Sequence, residues 1–256
     1  MTNRIPLSAA LVAAALVLGA APAGAAELKL LVSPEIEAAV EPLVAAFERE
    51  TRHTVDLDTG GKAGMRRAGD RGGTADVIVA PAGRIDQMIK RGNALAAGRH
   101  DVGRVGLGVF VRDGARVPAI GTSDELQKSL VAAAGVVYGD PASESGRQVE
   151  KLIRSLGLDA ELQMKTSRPA GRDQVAGFML RSRGDDIGIA PVTEILANVR
   201  RGLKFVGPVP ADLQDYTPFA AAALRNAATP DAARAFLDYL AAPAAKAKLA
   251  AAGIVE

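Results

Sequence analysis

Leu28-Lys29-Leu30-Leu31-Val32-Ser33-Pro34-Glu35-Ile36 is the stretch whose reading decides the fold. Leu28 to Val32 is a short apolar strand. Ser33 then places a hydroxyl at a helix N-cap, with Pro34 at the first helical position and the acid Glu35 in the first turn. Apolar residues recur at helical spacing through Ile36, Val40, Leu43, Val44 and Phe47. A strand that runs straight into a helix is the first half of a βαβ unit.

The same alternation continues along the chain. Val55 to Asp58 alternates like a strand and ends in the loop Thr59-Gly60-Gly61-Lys62-Ala63-Gly64. A basic helical stretch follows, then Ala75 to Ala80 as a buried strand and Ile85 to Lys90 as a helix stopped by Gly92. This βαβαβα order argues for a parallel sheet with helices on both faces. Around Gly106 a second α/β unit begins. Its strands are Val105 to Val111, Gly135 to Gly139, a strand and loop from Met164 to Gly171, Ile187 to Ala190 and Leu203 to Val206. Its helices start at Thr122, Arg147, Arg172 and Thr193. A last strand, Phe219 to Leu224, and a closing helix capped at Thr229-Pro230-Asp231 come after that unit is complete. They are expected to pack back onto the first, so that residues 27–105 plus 216–256 form one lobe and 106–215 the other.

The N-terminus bears on where the chain works. Thr2-Asn3-Arg4 is a short positive start, Leu7 to Leu18 is an apolar run, and Ala21-Pro22-Ala23 and Ala23-Gly24-Ala25 are small-x-small cleavage sites. Residues 1–26 thus read as a secretory signal peptide, with an apolar run short of the roughly 20 residues that a membrane span needs. A periplasmic protein is expected, with no membrane insertion once the signal is cut. The chain has no Cys, so neither a lipid-anchored cysteine nor a disulfide is open to it. Stability must come from a hydrophobic core, for which the roughly 230 remaining residues suffice.

Composition excludes further classes. Formal net charge is +2, with 31 basic and 29 acidic residues, and aromatics are 4% with no Trp. That is not the basic stripe with interleaved aromatics of a nucleic-acid binder. ATP and nicotinamide cofactors are not expected in a periplasm, so the Gly-rich segments lose their reading as nucleotide loops. His53 and His100 stand in polar, loop-like contexts and are expected at the surface. No His/Asp/Glu cluster has metal-ligand spacing, and no G-x-S-x-G elbow is present. Neither a cofactor nor a metal is expected.

Several strand-to-helix junctions share one chemistry. Ser33, Gly60 to Gly64, Ser143 to Gly146 and Gly171 to Asp173 each open a helix with a hydroxyl or glycine turn. Helix starts present orphan N–H groups and favour an anion. In open α/β sheets such turns lie at the carboxyl ends of the strands, where ligands sit. Converging junctions from two lobes would make a cleft suited to an anion.

An ordered set of motifs then carries a resemblance. Leu30-Leu31-Val32-Ser33, Thr74-Ala75-Asp76-Val77-Ile78-Val79-Ala80, Gly139-Asp140-Pro141 with Ser145-Gly146, Gly188-Ile189-Ala190 and the helix Ala235 to Pro243 follow one another over nearly the whole mature chain. The chain resembles the periplasmic molybdate-binding proteins of ABC importers. The resemblance implies an α/β, two-lobed periplasmic-binding-protein architecture. Each lobe would be a mainly parallel sheet flanked by helices, with the ligand cleft between the lobes. It also implies an importer permease as partner and a monomer. That family holds a tetrahedral oxyanion with two serines, backbone N–H groups and a tyrosine. Here Ser33 matches the first serine, but Lys62 stands in the second serine loop, Pro191 replaces the tyrosine, and Arg172 opens a helix that contributes backbone donors. The expected ligand set is Ser33, Lys62, Ser143, Ser145, Gly146, Arg172 and Pro191. Two cations fit a di- or tricarboxylate better than a compact oxyanion such as molybdate, and the expected ligand is one or the other. The alternative is a cofactor-free isomerase of an aconitate-like acid, since some chains of this resemblance are aconitate isomerases. One side chain, Tyr138, Glu144 or Ser145, would then shuttle the proton.

Overall fold

The computed structural model describes residues 25–59, 64–66, 74–170, 174–182 and 184–256. The expected signal segment up to residue 24, Lys62 and Arg172 lie outside them.

Strand β1 (Glu27–Val32) is buried at Leu28 and from Leu30 to Val32, with Glu27 and Lys29 exposed, so that only its C-terminal half is covered on both faces. Leu28, Leu30 and Val32 point into one core, whereas Leu31 points into another with Ile78 and Ala80. The first core is closed by α1 (Pro34–Thr51) and, near the C-terminus, by α8 (Pro230–Ala241) and α9 (Pro243–Ala251). Its centre is aromatic: Phe47 meets Phe236 edge-on, with centroids 5.1 Å apart. The opposite face is covered by α2 (Ala82–Lys90) through Ile85 and Met88. Around β1 the sheet is completed by β2 (Thr54–Asp58), β3 (Val77–Pro81), β4 (His100–Val105), β10 (Thr217–Ala223) and β11 (Ile254–Val255), in the order β11-β4-β10-β3-β1-β2.

The second sheet has the order β7-β6-β8-β5-β9, from β5 (Leu107–Arg112), β6 (Val136–Tyr138), β7 (Thr166–Ser167), β8 (Ile187–Pro191) and β9 (Leu203–Pro208). One face packs on α3 (Ser123–Ala132), α4 (Glu144–Ser155) and the short α5 (Asp159–Leu162), through Leu126, Leu130, Val149, Leu152 and Leu162. The other packs on α6 (Gln174–Arg181) and α7 (Val192–Asn198), through Val175, Met179 and Ile195.

The α/β class stands, but the sheets are mixed rather than mainly parallel. In the first, β1 runs parallel to β2 and β3, while β10 is antiparallel to both β3 and β4. In the second, β6 is parallel to β7 and β8, while β5 is antiparallel to β8 and β9. Antiparallel pairing appears where the chain passes between sheets, because a strand arriving from the other sheet needs no helical crossover. The stretch Val105 to Val111, expected as one strand, is broken at Gly106 into β4 and β5. Strand β4, the helix α9 and β11 carry no local apolar alternation that marks them. The two strands form because β10 and β4 offer edges to pair with, and α9 is held by packing Ala245 and Leu249 into the first core.

Three local expectations are corrected. His53 is buried, 7% exposed, stacked on Phe47 at 5.7 Å, and its Nδ1 accepts a hydrogen bond from the Ala26 amide. His100 begins a strand instead of lying in a loop. Neither Ser33 nor Thr229 caps its helix with the side chain, although both occupy the N-cap position.

Asp76 ties the first lobe together. It is 1% exposed; one carboxylate oxygen accepts from the Lys29 amide at 2.9 Å and the other from the Ala228 and Thr229 amides. Its side chain therefore joins β1 and the approach to β3 with the loop that leads into α8. Asp76→Ala strands three N–H groups and should cost roughly 3 kcal/mol. That is a fall of about 10 °C in the melting temperature of a domain this size, to be read by thermal unfolding of the ligand-free chain.

Candidate functional site

The chain passes between the two sheets from β4 to β5 through Gly106, and again from β9 to β10. Gln214, on the second passage, clasps the first: its Oε1 accepts from the Leu107 amide at 2.8 Å and its Nε2 donates to the Leu107 carbonyl at 2.7 Å. Gly106 is required there, because a Cβ would meet the Tyr216 ring at 2.8 Å and the Gln214 amide at 3.0 Å. The two passages run side by side with no room for a side chain between them.

Next to these passages a cavity opens between the sheets. It is lined by Glu35, Val105, Thr217 and Phe219 from the first sheet's side and by Gly106, Leu107, Ser145, Gln148 and Pro191 from the second. It is narrow, with about 10 Å³ available to the centre of a water, roughly one molecule. Hydrogen bonds join its two walls. Gln148 on α4 donates from Nε2 to the Thr217 hydroxyl at 2.7 Å, and the Thr193 hydroxyl on α7 donates to the Glu35 carbonyl at 2.6 Å. Lys151 adds an exposed ion pair to Asp215 at 2.8 Å, which contributes little by itself.

The helix starts α1 and α4 belong to these walls. Asp140-Pro141-Ala142-Ser143 folds into a tight turn before α4. The Asp140 carboxylate accepts from the Ala142 amide, and its carbonyl accepts from both the amide and the hydroxyl of Ser143. The Ser143 hydroxyl in turn accepts from the Gly146 amide at 3.0 Å, a side-chain cap. The cap uses one of the four orphan donors of this helix start, and the others keep the positive end of the helix dipole. On the other wall Ser33 is 5% exposed and its hydroxyl donates to the Glu35 carboxylate at 2.5 Å.

Of the site residues read from the sequence, the structure places Ser145 and Pro191 in the cavity, Ser33 one hydrogen bond behind it, and Ser143 and Gly146 in the turn that supports Ser145. Lys62 and Arg172 lie outside the described residues. Tyr138 is not in the cavity lining. Its ring is fully buried in the second sheet's core, and its hydroxyl accepts from Arg168 Nε at 2.7 Å. Glu144 is at the surface in an ion pair with Arg147. Glu35, Gln148, Thr217 and Phe219 were missed by the sequence reading. Glu35 had a signal, an acid two residues beyond the serine of an anion-type junction, but it reads equally as a first-turn acid complementing the helix dipole. Gln148 and Thr217 have none, being 69 positions apart. Among the described residues no group of three His, Asp or Glu is placed to hold a metal, and no helix is long and apolar enough to cross a membrane.

Comparison with known proteins gives this geometry a context. The family described as bacterial extracellular solute-binding protein matches residues 28–255. An aconitate isomerase from a Pseudomonas species is 28% identical over 252 residues, covering 94% of this chain and 92% of that protein. Among solved structures, the periplasmic molybdate-binding protein of Azotobacter vinelandii superposes with a TM-score of 0.73 at 19% identity, over 90% of this chain and 99% of that one. A sulfate-binding protein from Mycobacterium tuberculosis gives 0.69 at 19% identity, over 90% of this chain and 86% of that one. These structural likenesses establish the two-lobed periplasmic-binding-protein fold.

Two substitutions probe the support of the cavity. A Cβ at Gly146 would lie 2.2 Å from the Asp140 carbonyl oxygen and 2.6 Å from that of Gly139. Gly146→Ala must therefore push α4 off its turn, and should lower the melting temperature and weaken ligand binding about tenfold or more. Gly83→Ala, where a Cβ meets nothing within 4 Å, is the neutral control. Tyr138→Phe tests the core role. Burial raises the Tyr138 pKa above the ordinary tyrosine value, against the opposing pull of Arg168. The folded chain thus keeps a proton that the unfolded chain loses first, so stability falls as pH rises past about 10. Tyr138→Phe should flatten that loss above about pH 10 in urea titrations and leave ligand affinity unchanged, with Tyr239, also raised by burial, supplying a residual slope.

Proposed function

Because this chain belongs to the bacterial extracellular solute-binding protein family, we propose that it captures a small anion outside the cytoplasm and delivers it to the permease of an ABC importer. The observation that carries this reading is the cavity between the lobes, with the starts of α1 and α4 in its opposite walls. A solute held there touches both lobes at once. Its binding energy is then spent on keeping them together. The passages beside Gly106 are the natural pivots, and admitting anything larger than a water requires the walls joined by Gln148–Thr217 and Thr193–Glu35 to part. Ser145 and the start of α4 supply neutral donors. Lys62 and Arg172 are assigned to the same ligand as its cations, and together they favour a di- or tricarboxylate over a compact oxyanion. The similarity to molybdate- and sulfate-binding proteins supports an anion as the cargo class.

One observation favours a second reading. The relative that matches 94% of this chain is an aconitate isomerase, and a cleft that grips carboxylates acidifies the neighbouring C–H bond. Under that reading the chain is a cofactor-free isomerase moving one proton across an allylic tricarboxylate.

A thermal-shift panel on the mature chain separates these readings, using molybdate, tungstate, sulfate, citrate, cis-aconitate and trans-aconitate. A ligand at 100 times its Kd adds about 2.7 kcal/mol to apparent stability, which a melting curve resolves. A shift with carboxylates that is lost in Lys62→Ala and Arg172→Ala is the expected result. A shift confined to the oxyanions and insensitive to both substitutions would reject the cation assignment. Interconversion of the aconitate samples, followed by proton NMR, would replace the receptor by the isomerase.

A further inference from the structure

We infer that Glu35 sets the ligand specificity of the cleft, so that it takes an anion carrying its own hydrogen-bond donor, such as a hydroxy acid, and discriminates against anions without one. This rests on the anion-binding reading above and narrows its ligand class.

A helix start that is to hold an anion should present donors, and the wall at α1 presents the opposite. Ser33 has one hydroxyl hydrogen, and it is given to Glu35 Oε2 at 2.5 Å. With Ser33 5% exposed, the residue of this junction that lines the cavity is Glu35, whose carboxylate is held by the Ser33 hydroxyl. An ionised carboxylate only accepts hydrogen bonds. Its position is fixed from several sides: Pro34 precedes it at the first helical position, the Ser33 hydroxyl holds its head, and the Thr193 hydroxyl from the other lobe holds its carbonyl at 2.6 Å. Across the cavity, Ser145 carries a hydroxyl at the positive start of α4. The cleft is therefore polar in a definite sense, with an acceptor on the α1 wall and donors on the α4 wall.

A ligand that fits both walls needs charge at one end and a donor at the other. A fully ionised tetrahedral oxyanion or an unsubstituted dicarboxylate turns a bare lone pair toward Glu35, with like charge added. A hydroxyl or an acidic proton turns that contact into a charge-assisted hydrogen bond. Sites built to bond a hydroxyl reject the analogue that lacks it by large factors. The half-buried setting of Glu35 reduces the expected ratio to roughly 10- to 100-fold.

Isothermal titration of the mature chain near neutral pH with matched pairs tests this: malate against succinate, citrate against tricarballylate, and hydrogen phosphate against sulfate. The donor-bearing member of each pair that binds should win by about tenfold or more. Glu35→Gln, whose amide both donates and accepts, should reduce that ratio to about threefold or less, mainly by improving the donor-free member. Ser33→Ala removes the hydrogen bond to Glu35 but leaves the acceptor in place, so it should keep the order of preference. Equal affinities within the pairs, or a preference that Glu35→Gln leaves intact, would overturn the assignment of Glu35 while leaving an anion receptor standing. No binding of any of these anions, nor of the oxyanions and aconitates of the wider panel, would overturn the anion-binding reading and this inference with it. The wild-type pairs decide the direction without any variant, so the outcome does not depend on how well Glu35→Gln folds.

Discussion

The clasp of Gln214 on Leu107 is the contact on which the rest of the architecture depends. One side-chain amide satisfies both the N–H and the C=O of a residue that has just left one sheet and entered another. Such a residue cannot use both groups in either ladder, and a buried backbone group without a partner is costly. The clasp removes that cost for the Leu107 N–H and adds a second donor to its C=O, which also accepts from the Val209 amide at 3.0 Å. Gly106 then follows as a steric necessity, since the amide and the Tyr216 ring occupy the volume of its Cβ. Both sheets hang from this point, and the cavity lies beside it.

From that point the two walls acquire different chemistry. The α4 wall is a helix start in its usual role, a capped turn whose hydroxyls and dipole favour negative charge. The α1 wall begins in the same way, with strand, serine and proline, but the acid in its first turn folds back to take the serine hydroxyl. A residue type that stabilises the helix through its dipole thereby also decides what the cleft sees. Local helix chemistry and ligand selection meet in one side chain, and the bond from Thr193 to the carbonyl of the same residue ties its position to the approach of the other lobe.

Much of this was legible in the sequence. The parallel core of each sheet is built from strands such as β1 and β8, in which the apolar runs Leu30 to Val32 and Ile187 to Ala190 record burial on both faces. The turn Asp140 to Gly146 was readable because capping is a short-range matter, decided within four residues. The pieces that escaped are those whose reasons are distant. Strand β4 has a polar sequence and exists because β10 and β11 flank it. His53 looked like a loop residue, and is buried because Phe47 and the Ala26 amide come to it from elsewhere in the chain.

The sequence by itself determined the α/β class, the order of the apolar strands and of the helices between them, and the capped helix starts. Each of these is a local property: periodicity, a proline or a hydroxyl at a fixed offset, a run of apolar side chains. Tertiary structure alone decided that the sheets are mixed, that Tyr138 belongs to a core and not to the cavity, and that Glu35, Ser145, Gln148 and Thr217 share one cleft. Those facts depend on which segments meet across separations as large as the 158 positions between Glu35 and Thr193. Pairing at that range is chosen by packing and by the need to satisfy buried polar groups, and neither leaves a pattern in adjacent residues.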